Sequence, residues 1–152
     1  MLIYIGADHK GFQLKEALKG QLAQWGYEVS DVGNNQLDEN DDYPDFAEKV
    51  GMAVSQEPFS RKGVLICGSG VGVDIVANKF KRVRSSLIAS ADQAFAARND
   101  DDANILCLPA DFISQEEAAK ILGIWIQTSF SEDPNHRRRL AKISDIEMRN
   151  SN

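Results

Sequence analysis

Hydrophobic positions along this chain follow two alternating patterns. Short strand-like runs occur at Leu2–Gly6, Glu28–Val32, Gly63–Cys67, Ser86–Ala89 and Asn104–Leu108. Each is too short for a helix and is bounded by turn residues, which predicts a β-strand. Between them apolar residues recur every three or four positions. Leu14, Leu18, Leu22 and Trp25 mark an amphipathic helix that Gly26 stops, with Asp8 as a candidate N-cap upstream. Pro44 opens a second helix with Phe46, Val50 and Val54 on one face. Val73–Lys79 and Asp92–Asn99 read as two more. Ser114 and Glu117 form a capping box before a helix whose inner face is Ala118, Ile121, Leu122, Trp125 and Ile126. Beyond Pro134 a last helix carries Leu140, Ile143 and Ile146. The segment from Asn34 to Tyr43 is a polar, acidic loop with Leu37 as its lone aliphatic residue, and Asp38 to Asp42 are expected to face solvent.

Strand–helix alternation with short apolar strands predicts an α/β fold: a five-stranded parallel sheet covered on both faces, followed by a C-terminal helix. No repeat, low-complexity tract or linker interrupts the pattern, so residues 1–152 are expected to form a single domain. Ligands of such sheets bind at the carboxyl ends of the strands. Those ends carry Asp8-His9, Cys67-Gly68-Ser69-Gly70 and the segment after Ala89.

Composition narrows the function classes. With 43% hydrophobic residues the chain can build a core, and a net charge of −6 argues against a nucleic-acid or anionic-membrane surface. No apolar run approaches the ~18 residues of a membrane helix. Met1-Leu2-Ile3 enters a strand without a basic leader, so the expected location is cytoplasmic. Cys67 and Cys107 each end an apolar run. Cys107 reads as a small core residue, whereas Cys67 stands before a glycine-rich turn.

That turn, Gly68-Ser69-Gly70-Val71-Gly72, carries the candidate chemistry. Backbone N–H groups of such a loop converge on one spot and bind anions, and their field favours a thiolate over a thiol. A weak base beside an anion nest is a device for moving a proton next to a carbonyl. A dinucleotide fingerprint is disfavoured, because its third glycine would fall on Val73 and no acidic residue ends the next strand. His9 is a candidate partner for an anionic ligand. His136-Arg137-Arg138-Arg139, the dense basic cluster of an acidic chain, reads either as a helix's polar face or as a phosphate clamp. Asp100-Asp101-Asp102 reads as a solvated turn, and no metal-ligand set accompanies it.

Taken in order, these residues resemble the family of ribose-5-phosphate isomerase type B and galactose-6-phosphate isomerase. The markers are Gly6-Ala7-Asp8-His9-Lys10-Gly11-Phe12, Asp42-Tyr43-Pro44, Ile66-Cys67-Gly68-Ser69-Gly70-Val71-Gly72, Ala77-Asn78-Lys79, Arg98 with Asn104, and His136 with Arg139. They span nearly the whole chain. The resemblance implies a Rossmann-like α/β/α sandwich, a homodimer or homotetramer with active sites shared between subunits, and no metal or organic cofactor. It implies Cys67 as the base carrying a proton between C1 and C2 of an opened aldose, with Ser69, Gly70 and Gly72 around the enediolate oxygen. Asp8 would touch sugar hydroxyls, Tyr43 would line the pocket, and His9 and Arg139 would hold the phosphate. Gly68, Val71, Asp101 and His136 complete the implied binding set.

The sequence departs from the family pattern at four of these places. Asp100 stands where many members carry a ring-opening His, and Asp101 where an Asn follows. Asp111 and Asn135 stand where the family has Arg. Val73 occupies the position at which other members place a Glu base, so this chain matches the Cys-base type. Asp100 is then the candidate acid–base group for ring opening. The expected activity is aldose–ketose isomerisation of a sugar phosphate, ribose 5-phosphate to ribulose 5-phosphate first. The alternatives are an isomerase of a different or less anionic sugar, and a non-catalytic sugar-phosphate-binding module. The expected partners are a small sugar phosphate and further copies of the chain, with no nucleic acid or membrane.

Overall fold

The computed structural model describes residues 1–150. Strands β1 (Leu2–Ala7), β2 (Glu28–Asp31), β3 (Arg61–Cys67), β4 (Ser85–Leu87) and β5 (Ile105–Pro109) alternate with helices α1 (Phe12–Gln24), α2 (Tyr43–Gln56), α3 (Val71–Ala77), α4 (Ala91–Asn99) and α5 (Gln115–Gln127). Helix α6 (Pro134–Arg149) follows. All strands pair in parallel, in the order β2-β1-β3-β5-β4.

Side chains of successive strand residues point to opposite faces, and this splits the core in two. Ile3, Ile5, Val64, Ile66, Leu106 and Leu108 pack with Leu14, Leu18 and Leu22 of α1 and Ile121, Leu122 and Trp125 of α5. Leu65, Cys67, Ile105 and Cys107 face the other way, against Ala47, Val50 and Val54 of α2 and Val73 and Ala77 of α3. Cys107 is fully buried, and burial drives its thiol well above the ordinary range. It is a core residue, as its sequence context indicates.

One buried polar network interrupts the apolar packing. Lys15 of α1 is fully buried, yet its ammonium lies 2.6 Å from Asp31 and 2.5 Å from Glu16. Lys19 adds a contact of 2.7 Å to the same Asp31 oxygen. Burial works to raise the Asp31 carboxyl, but hydrogen bonds from Lys15, Lys19 and the Gly33 N–H outweigh it and hold it below the usual range.

Several boundaries differ from expectation. Asp8 is not the N-cap of α1; Gly11 is, and Asp8 Oδ1 instead accepts the Gly11 N–H at 3.1 Å, closing a turn ahead of the helix. Helix α3 begins at Val71, two residues early, because Gly70 turns the chain through the left-handed region at φ 73°. Strand β4 stops at Leu87, although Ile88 is buried and still donates to the Cys107 carbonyl at 3.0 Å. Helix α6 buries none of its residues, leaving Ile143 and Ile146 about half exposed (47% and 50%).

Connections leave β1 toward β2 on one side and β3 toward β4 on the other. The direction in which the chain winds across the sheet therefore switches between β1 and β3, and a crevice opens at their carboxyl ends.

Candidate active site

The register places the two key loops side by side. Ala7 pairs with Ile66, so Asp8 and Cys67 leave adjacent strands at the same level, ~5 Å apart. On the far side Cys67 pairs with Pro109, and Ala110 and Asp111 donate their N–H groups to the carbonyls of Cys67 and Gly68 at 2.9 Å each. Three strand ends thus converge on one thiol.

Cys67 is 4% exposed, and its Sγ accepts the Gly70 N–H at 3.1 Å. A donor aimed at sulfur gives negative charge there a partner. The positive φ at Gly70 makes that approach possible, and a β-carbon there would lie 2.4 Å from Leu87 Cδ1. The other two glycines serve a different end. A β-carbon at Gly72 would fall 2.6 Å from the Tyr43 ring, and one at Gly68 would fall 2.6 Å from Asp111 Oδ2. Tyr43 therefore lies over the loop. Ser69 is exposed, with its Oγ accepting from Val71 N at 3.3 Å.

Asp8 is 6% exposed, and burial raises its carboxyl above the usual range against the lowering pull of the Gly11 N–H. His9 next to it is held by a residue the sequence did not single out. Asp41 Oδ1 accepts both the His9 backbone N–H and contacts ring Nδ1, each at 2.8 Å, while Asp41 Oδ2 accepts from Asn34 at 3.0 Å. The Asp41 side chain is only 7% exposed, so the expectation that Asp38 to Asp42 all face solvent fails at this position. The hydrogen bond to Asp41 raises the His9 imidazole above its ordinary value. A cavity of about 400 Å³ opens beside it, lined by His9, Lys10, Leu37 and Glu39.

Asp100 and His136 meet elsewhere, and no side-chain hydrogen bond or ion pair joins Asp101 or Arg139 to them among the described residues. Asp100 caps the C-terminus of α4, whose chain then enters β5 at Ile105. Cys67 lies level with Pro109, four residues further along, or roughly 13 Å along the strand at ~3.3 Å per residue. Asp100 Oδ1 is 3.8 Å from His136 Nε2, and His136 Nδ1 meets Ser131 Oγ at 2.7 Å. Arg139 is exposed on α6. Arg137 is tied to Glu132, and Arg138 donates to Asn135 at 2.8 Å. The run of three aspartates is not uniformly solvated. Asp102 binds Arg84 and Arg98 at 2.7 Å each, and this clamp fixes the turn that presents Asp100 and Asp101. The chain thus brings together Asp8, His9, Tyr43, Cys67 and the glycine loop, and places the Asp100–His136 pair toward the opposite end of the sheet.

Comparison with known proteins follows the same geometry. A family model described as Ribose/Galactose Isomerase matches residues 3–143. A probable ribose-5-phosphate isomerase B of Mycoplasma genitalium is 42% identical over 141 residues, covering 93% of this chain and 92% of that protein. The ribose-5-phosphate isomerase B of Escherichia coli is 35% identical over 147 residues, covering 97% of each. The crystal structure of the Mycoplasma genitalium enzyme with bound ribulose-5-phosphate superposes with a TM-score of 0.94 at 40% identity, covering 97% of this chain and 96% of that one.

Proposed function

The chain belongs to the ribose/galactose isomerase family, and from that premise we propose that it interconverts ribose 5-phosphate and ribulose 5-phosphate. Cys67 carries the reading. Its sulfur sits at the carboxyl end of β3, level with Asp8 and facing the N–H of Gly70. A thiolate there takes the proton from C2 of the opened aldose, and the electron pair moves onto the C1 carbonyl oxygen to give a cis-enediolate. The hydroxyl proton passes from O2 to O1, and the thiol returns its proton to C1 as the C2 carbonyl forms, leaving the ketose and the thiolate. The backbone N–H groups of the Ser69–Gly72 loop stabilise the oxygen that gains charge. Asp8 holds the sugar hydroxyls, Tyr43 closes the pocket side, and His9 takes the phosphate.

Ring opening belongs to the other pair. Asp100 and His136 are too far along the sheet to serve the Cys67 of their own chain, and α6 leaves Ile143 and Ile146 uncovered. A homodimer answers both: the partner subunit's Asp100, the partner subunit's Asp101, the partner subunit's His136 and the partner subunit's Arg139 complete each site, and α6 buries its apolar residues between chains. No helix among the described residues is long and apolar enough to cross a membrane. A cytoplasmic location suits the proposed metabolism of a sugar phosphate.

The deciding experiment measures isomerisation of ribose 5-phosphate by the wild type and by Cys67→Ala, beside allose 6-phosphate, galactose 6-phosphate and unphosphorylated sugars. Turnover of ribose 5-phosphate that vanishes in the variant is the expected result. A second reading, an isomerase of a less anionic sugar, is favoured by the Asp111 carboxylate against the glycine loop. Activity elsewhere in the panel with none on the pentose phosphate would select it.

A further inference from the structure

Two side chains of opposite charge converge on Gly68 from different loops. Asp111 follows β5, and its N–H donates to the Gly68 carbonyl at 2.9 Å, fixing its backbone against the loop. A β-carbon on Gly68 would fall 2.6 Å from Asp111 Oδ2 and 3.5 Å from Lys10 Cγ. Lys10 follows His9 after β1, is exposed, and lines the same cavity of about 400 Å³ as His9. Beyond Cγ a lysine has two more methylenes and an ammonium on freely rotating bonds, so its charge can swing between a carboxylate and a ligand.

The charges at this end of the sheet frame the question. Asp8, Glu39, Asp41 and Asp111 are carboxylates around the cavity and the glycine loop, and His9 is already bonded to Asp41. Arg137, Arg138 and Arg139 of α6 are exposed, and in the proposed dimer it is the partner subunit's Arg139 that reaches this site. Among the residues of one chain that line this cavity, Lys10 is the cation that does not depend on protonation of an imidazole. A doubly charged phosphate entering among these carboxylates needs such a partner.

We propose that Lys10 and Asp111 form a charge selector at the mouth of the site, in which Lys10 binds the substrate's phosphate and Asp111 opposes it. The pair sets how much negative charge the site accepts. This deepens the sugar-phosphate isomerase reading and rests on it only for the identity of the substrate.

The test measures KM and kcat for ribose 5-phosphate with Lys10→Met and Asp111→Asn, together with the affinity of each protein for inorganic phosphate, read by protection of Cys67 from iodoacetamide. Loss of a charged partner is expected to raise KM and weaken phosphate binding by about 10-fold or more in Lys10→Met, with most of the change in KM rather than kcat. Asp111→Asn is expected to do the reverse, lowering KM and strengthening phosphate by several-fold. Protection by ribose should differ less than about twofold among the three proteins. A merely disruptive substitution would not tighten binding, so opposite signs for the two variants are the signature. Phosphate affinity within twofold of wild type in Lys10→Met, or weakened in Asp111→Asn, would overturn the selector. If the wild type turns over no sugar phosphate while phosphate protection shifts as expected, the selector stands and the isomerase reading falls.

Discussion

Asp41 grips His9 through one carboxylate oxygen, which lies 2.8 Å from both the backbone nitrogen and ring Nδ1 of the histidine. The contact spans 32 positions of sequence and joins the acidic loop to the end of β1. It fixes the ring and favours the imidazolium, so His9 stays charged above the pH at which a free histidine loses its proton. Phosphate binding should therefore hold below the raised value and weaken as pH climbs through it. Asp41→Asn should move that weakening to lower pH, toward about 6.5. KM for ribose 5-phosphate measured between pH 5.5 and 8.5 in both proteins checks the shift; superimposable profiles would remove the role given to Asp41.

Lys62 on β3 should cost the fold stability at neutral pH. It is 9% exposed, and burial followed by the neighbouring Arg98 pushes its ammonium down to about 8, with Asp102 only partly offsetting. The unfolded chain holds that proton up to about 10.4, so it binds more protons than the native state in the interval between. The penalty is full below about 8 and fades as pH rises toward 10.4. Lys62→Met should gain up to about 3 kcal/mol at pH 7, raising Tm by up to roughly 6–12 °C, and flatten the rise of stability between these two pH values. Thermal melts at pH 7 and pH 10 measure both.

Asp31 is expected to behave in the opposite way. Its removal leaves the fully buried ammonium of Lys15 with Glu16 alone. Asp31→Asn should destabilise by about 3–5 kcal/mol, the usual cost of uncovering one partner of a buried pair. Because the native carboxyl titrates below its unfolded value, the contribution is present above about pH 4 and lost as pH falls through the native value. Urea unfolding of the variant at pH 7 and at pH 3 should show a large gap closing on acidification.

Gly70 couples backbone conformation to the thiol. Gly70→Ala meets both the positive φ and Leu87, and should lose more than about 1 kcal/mol of stability. Activity should fall further than stability, because the N–H aimed at Cys67 moves with the backbone. Turnover of the folded fraction, set against circular dichroism, separates the two losses.

The proposed dimer makes a distinctive claim about mixtures. Cys67→Ala and Asp100→Asn each disable every site when pure, but a hybrid of one chain of each concentrates both defects in one site and leaves the other intact. With free exchange of chains, about half the dimers are hybrids, and the mixture should regain about a quarter of wild-type activity. A mixture no more active than its components would mean that one chain supplies both groups.

Much of this arrangement is legible in the sequence, and the limits have physical causes. Strand-like runs gave the sheet, and helical spacing gave the helices, because burial on two faces and on one face leave different periods. The glycine loop was readable because its chemistry is contiguous. The insertion of β5 between β3 and β4 was not, since chain order does not record spatial order. Nor were Asp41 with His9, or Lys10 with Asp111, where two loops distant in sequence meet through the fold. Asp102 shows a third limit. It is chemically identical to Asp100, yet only the positions of Arg84 and Arg98 decide that it anchors the turn while Asp100 faces His136.

The proposed division of the machinery between the two ends of one sheet also sets a kinetic order. In the proposed dimer a solitary chain owns two incomplete halves, neither of which can turn over a sugar. Below the dissociation constant of the pair, the rate should scale with the square of chain concentration, and after dilution it should decay as dimers fall apart. The output of such an enzyme then responds more than proportionally to how much of it a cell makes.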